Sequence, residues 1–131
     1  MDRVLKKTFY WIPVFIWMIV IFYFSSRARI SLSEEETINF LIFKTLHIIE
    51  YAILYFLLFR AFFLSANKHS SSKIYWYPFF IALIYAASDE FHQLLVPTRD
   101  GALRDVFIDA LGIAFMYTLI KKSKKIAKKI V

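Results

Sequence analysis

Residues Phe9 to Phe24 form a run of sixteen uncharged, almost wholly apolar side chains. With Thr8 before it and Ser25 and Ser26 after it, the run approaches the ~20 residues a helix needs to cross a bilayer core of ~30 Å. The rest of the chain agrees with that environment. In 131 residues, hydrophobic side chains make up 60% and aromatics 20%, against the roughly 45–50% apolar usage of globular proteins. Two glycines and three prolines are too few for the turns of an all-β barrel. An all-α membrane protein with a single domain over residues 1–131 is therefore expected. The absence of cysteine excludes a disulfide framework and a thiolate metal site. Arg3, Lys6 and Lys7 ahead of an apolar stretch resemble a secretory leader. Phe22, Tyr23 and Phe24 nevertheless lead straight into Ser25 with no small-residue cleavage site, so the segment is read as a mature helix.

The pattern predicts a four-helix transmembrane bundle, with spans over about 9–26, 44–64, 74–96 and 103–120. Pro13 is placed in the first turns of the first span, where a missing donor costs least. Ser33 followed by Glu36 has capping-box spacing and is read as the N-cap of the second helix. From Glu34 to Leu64 that helix would be ~46 Å long, so an acidic, amphipathic extracytoplasmic segment is expected before the span proper. Pro97 is expected to stop the third span at Val96.

Charge sets the orientation. Placing both termini in the cytoplasm puts twelve of seventeen basic residues on that side with Asp2 as the accompanying acid. The other five basic residues and nine acids then fall outside or in the outer half of the bilayer. Tyr10, Trp11, Trp76 and Tyr77 fall at the inner interface, which suits amphipathic aromatics. The net charge of +7 thus belongs to a membrane surface and not to a nucleic-acid face. The lysine-rich tail 121–131 reads first as a stop-transfer anchor, with an anionic-lipid site as the alternative.

The ionisable residues inside the spans share one depth. Lys44, His47 and Tyr51 lie at i, i+3 and i+7 of the second span, with Glu50 one step round. Tyr85, Asp89, His92 and Val96 form a stripe on the third, with Ser88 and Gln93 at its edges, while Glu90 points about 100° away. Asp105, Asp109, Gly112 and Met116 line a narrow face of the fourth. Counted inward from the expected outer boundary, these groups lie ~5–10 Å deep. Such residues serve either as polar glue between helices or as the lining of a pocket, and their number favours the pocket. Arg99 and Arg104 in the following loop suit an anionic group, or else pair with neighbouring acids. His47 and His92 beside carboxylates have the chemistry for a metal, but no compact motif such as HExxH is present. No metal and no cofactor are assigned.

Two segments carry a resemblance: Lys44-Thr-Leu-His47-Ile-Ile-Glu50-Tyr51 and the pattern Asp89-Glu90-x-x-Gln93-x-x-x-Pro97-x-Arg99-x-Gly101-x-x-x-Asp105. Together they resemble the VanZ-like family of bacterial integral membrane proteins over roughly residues 20 to 120. The family usually has asparagine where Asp109 stands here, and commonly glycine at Thr98 and Ala114. The resemblance implies a cell-envelope protein, and the founding member is associated with resistance to teicoplanin.

On this reading the pocket binds an amphiphile of the outer leaflet, such as a lipid headgroup, a lipid-linked envelope precursor or a lipoglycopeptide. Candidate residues are Lys44, His47, Glu50, Tyr51, Asp89, Glu90, His92, Gln93, Arg99, Arg104, Asp105 and Asp109. The alternative is a membrane-embedded enzyme acting on an envelope lipid by carboxylate and histidine acid–base or metal chemistry. No activated nucleophile stands out, and Ser88 carries no sign of one, which favours binding. The sequence leaves the oligomeric state open.

Overall fold

The computed structural model describes residues 3–27, 30–66, 72–99, 101–123 and 129. It contains four α-helices in the order α1 (Arg3–Ser26), α2 (Glu36–Ser65), α3 (Lys73–Gln93) and α4 (Leu103–Lys122), with no strand among the described residues. The loop between α2 and α3, Asp100 and most of the basic tail lie outside the described residues.

Four local expectations change. α1 starts at Arg3, because the basic residues continue the helix ahead of the apolar run. Pro13 therefore sits about three turns inside and removes the donor that would bond the Phe9 carbonyl. Ser33 is not the cap of α2: the N-cap is Glu35, which makes no side-chain cap bond. Asn39 instead reaches back and gathers the preceding loop. Its Oδ1 accepts from the Leu32 and Ser33 amides, both at 2.9 Å, and its Nδ2 donates to the Ser33 carbonyl at 2.7 Å. Of the three clustered acids Glu36 alone lies in the first turn of α2, while Glu34 and Glu35 precede the helix, which therefore starts two residues later than expected. Finally, α3 ends at Gln93 and not at Val96. Residues 94–98 form turns, with Val96 biased away from helical geometry by Pro97.

α2 is the hub of the bundle. It packs against all three other helices, most extensively against α4; α3 also meets α1 and α4. The backbones of α1 and α4 do not approach closely among the described residues. The core is centred on Tyr51, Leu54, Tyr55, Leu58 and Phe59 of α2, closed by Ile21, Ala82, Ala86 and Ile113 from the neighbours. Gly112 of α4 lies directly on the backbone of Ile48, where a Cβ atom has no room. At the opposite end aromatic rings interlock, with Trp11 and Phe62 at 5.0 Å and Trp76 and Tyr117 at 5.5 Å.

The outside is apolar as well. Phe15 and Ile19 of α1, Ile84 and Phe91 of α3, and Phe107 and Leu111 of α4 are all exposed. Water-soluble monomers rarely present apolar surface on this scale. Leu5–Ser26 and Glu36–Ser65 are long and apolar enough to cross a membrane, and only 17% and 39% of their apolar stretches are buried. Neither stretch is mostly buried, as the core helix of a soluble protein would be. α3 and α4, which carry all four buried carboxylates among the described residues, fall below the same mark.

Candidate functional site

The C-termini of α1 and α3 and the N-termini of α2 and α4 converge at one end, and their polar side chains meet there. The strongest pair joins α2 to α4: Lys44 Nζ lies 2.6 Å from Asp105 Oδ2, with both side chains buried. A buried pair of this kind adds little against an apolar replacement, but removing one partner costs about 3–5 kcal/mol. One turn deeper, His47 Nδ1 lies 3.5 Å from Asp109 Oδ1 and 4.0 Å from Glu50 Oε2. The three-residue steps Lys44–His47 and the four-residue step Asp105–Asp109 place the two couples one above the other along the same seam.

Asp89 faces α1. Its Oδ2 accepts from Ser25 Oγ at 2.8 Å and from Gln93 Nε2 at 3.3 Å. Glu90 turns the other way, towards α4, where its Oε2 accepts from the Ala102 amide at 3.2 Å. Ala102 is the N-cap residue of α4, so this carboxylate sits where the helix dipole favours negative charge. Gly101 permits that contact, since a Cβ there would collide with the Glu90 carbonyl. Tyr51 is fully buried and its ring stacks near His47, with centroids 6.5 Å apart.

Three predicted site residues go elsewhere. His92 leaves the cluster for the α1 seam, stacking on Phe22 at 4.7 Å with Nε2 3.0 Å from Ser26 Oγ. Arg99 closes the C-terminus of α1: Nε donates to the Arg27 carbonyl at 3.0 Å and Nη2 to the Phe24 carbonyl at 2.9 Å. A guanidinium suits that position because the last carbonyls of a helix are unpaired and carry partial negative charge. Arg104 is mostly exposed, lies over the Phe40 ring and bonds Asp105 at 3.3 Å. It lines an open polar cavity of about 680 Å³ with Glu36, Asn39 and Thr98. Arg99 lines a different one, so the two arginines do not share a pocket mouth.

That other cavity, of about 340 Å³, lies between α1 and the start of α2. Phe24, Ile30, Leu32, Phe43 and Leu46 give it apolar walls, and Arg27, Arg99, His47 and Glu50 supply the charged or titratable groups. His47 thus belongs both to the cavity wall and to the buried cluster behind it. Sequence reasoning missed Ser25, whose position at the end of the apolar run marked it only as an extension of the span. It also missed Arg27, which was counted for charge but not placed.

A model of the VanZ/LLP1 family matches residues 9–127. The chain belongs to this family. The VanZ/LLP1 match and the two long apolar helices together point to a membrane protein. No curated protein and no solved structure matches the chain.

Proposed function

We propose that this VanZ/LLP1-family protein spans the bacterial cell membrane four times with both termini cytoplasmic, and binds the anionic headgroup of an outer-leaflet amphiphile. The observation that carries the reading is the cavity between α1 and α2, apolar on its walls and cationic at Arg27 and Arg99. Its volume of about 340 Å³ lies at the small end of ligand sites. It suits a headgroup and the start of a chain, not a whole lipoglycopeptide. Teicoplanin-type resistance belongs to this proposal as a consequence of engaging a lipid-linked envelope precursor or the lipid tail of the drug. The catalytic reading gains one observation, the gathering of His47, Glu90 and Asp109 behind the cavity.

The test uses the full chain in detergent and native mass spectrometry with phosphatidylglycerol against phosphatidylcholine. Selective retention of the anionic lipid is expected. Arg27→Gln should weaken it roughly fivefold, the value of a partly exposed charge contact. Leu46→Trp, which fills the cavity, should abolish it. Equal retention of both lipids, or an unchanged Leu46→Trp variant, overturns the binding site.

A further inference from the structure

Among the described residues four carboxylates are buried: Asp89, Glu90, Asp105 and Asp109. Lys44 is the buried amine that faces them, and it is taken by Asp105 at 2.6 Å. The remaining three have neutral or incomplete partners. Asp89 is held by Ser25 and Gln93, Glu90 by one backbone amide, and Asp109 by an imidazole at 3.5 Å. Each still has an oxygen without a hydrogen-bond partner: Asp89 Oδ1, Glu90 Oε1 and Asp109 Oδ2. His47 Nδ1 is also buried without one. Unpaired carboxylate oxygens in an apolar interior are costly, and the cost is removed by a cation that coordinates them.

The three helices bring a matching donor set together. His47 from α2, Glu90 from α3 and Asp109 from α4 each offer a ligand atom, and these atoms lie within 4.8 Å of one another. Glu90 and Asp109 are 4% and 1% exposed and His47 6%, so the set is closed to bulk solvent except where His47 meets the cavity. One imidazole and two carboxylates form a borderline N/O set, which suits zinc or manganese(II) better than calcium.

We infer that His47, Glu90 and Asp109 bind a divalent transition-metal ion, zinc foremost. Three protein ligands leave at least one coordination position for water or for an anionic group entering from the cavity. Glu50 Oε2, 4.0 Å from the Nδ1 atom of His47, is a further carboxylate at the edge of the set. The ion would also tie α2, α3 and α4 together at one point. The inference does not depend on which amphiphile, if any, the cavity takes.

Metal binding is read directly, without lipid. The full chain, purified in chelator-treated detergent, is titrated with zinc chloride and manganese chloride by calorimetry, and its metal content is measured by mass spectrometry. One ion per chain is expected, with zinc tighter than manganese. Glu90→Gln and Asp109→Asn should each weaken zinc by about 100-fold or more, beyond the 10–100-fold that outer-shell changes cost. His92→Asn, which alters a histidine outside the cluster, should bind as the parent does. No saturable binding of either ion overturns the site, as does unchanged affinity in both carboxylate variants or loss of zinc in His92→Asn alone. Should the carboxylate variants fail to fold, X-ray absorption of the zinc-loaded parent decides. One imidazole with oxygen donors supports the assignment, and a spectrum lacking imidazole defeats it. Failure of lipid binding with zinc retained would remove the amphiphile proposal and leave this one standing.

Discussion

Thr98 has φ 66°, in the left-handed region, and is the one non-glycine residue there among those described. A side chain in that conformation costs about 1–2 kcal/mol, and a β-branched one is the least suited to it. The neighbouring contacts hold it in place. The Arg99 amide donates to the Val96 carbonyl at 3.2 Å, and the Arg99 side chain is carried back onto the end of α1. A glycine at this position would adopt the same conformation without that cost. Thr98→Gly is expected to stabilise the protein by about 1 kcal/mol, after the added freedom of the unfolded chain is set against the relieved strain. Thermal melting in detergent would register this as a rise of several degrees. A lowered melting temperature would mean that contacts of the Thr98 side chain outweigh the strain.

Among the elements, the contact of α4 with α2 depends most on a single atom's absence. Gly112 rests on the Ile48 backbone, and the Lys44–Asp105 and His47–Asp109 couples flank the same seam. Gly112→Ala should cost about 1–3 kcal/mol through overpacking, and Gly112→Leu should prevent normal assembly. Detergent denaturation followed by circular dichroism measures the first, and the yield of monodisperse protein the second. A fully stable Gly112→Leu variant would show that the two helices do not meet as closely as described. Helix positions were largely legible from apolar runs: α4 starts at Leu103 as expected, and α2 reaches Ser65 against an expected Leu64. The end of α3 was not, because Leu94, Leu95 and Val96 continue its apolar character after the helix has stopped. Face assignments from helical spacing succeeded for Lys44, His47, Asp105 and Asp109. They failed for His92, since three residues on from Asp89 is still a rotation of about 60°, enough to direct it to the outer edge of the α1 seam. The spacing of Glu90 correctly separated it from Asp89. Its arrival beside His47 and Asp109 depends on tertiary packing that periodicity does not encode.

For the whole molecule, the proposed orientation is open to a direct check, because the natural chain has no cysteine. Single cysteines at Glu34, before α2, and at Ser72, before α3, lie on opposite ends of the bundle and are exposed. In intact cells an impermeant thiol reagent should label Glu34→Cys and spare Ser72→Cys. The reverse pattern would turn the cavity towards the cytoplasm, and labelling of both would remove one of the spans. The proposed topology also gives the ion pairs of α2 a role in time. A membrane protein enters the bilayer as it is synthesised, from its N-terminus onward. α1 and α2 are apolar enough to partition alone, whereas α3 and α4 are less so. Asp105 and Asp109 therefore leave the ribosome after Lys44 and His47, their partners, are already embedded. On the proposed topology the late helices would depend on the early ones for admission to the membrane, so an early lesion at Lys44 would surface as degraded nascent chains rather than as an unstable mature protein.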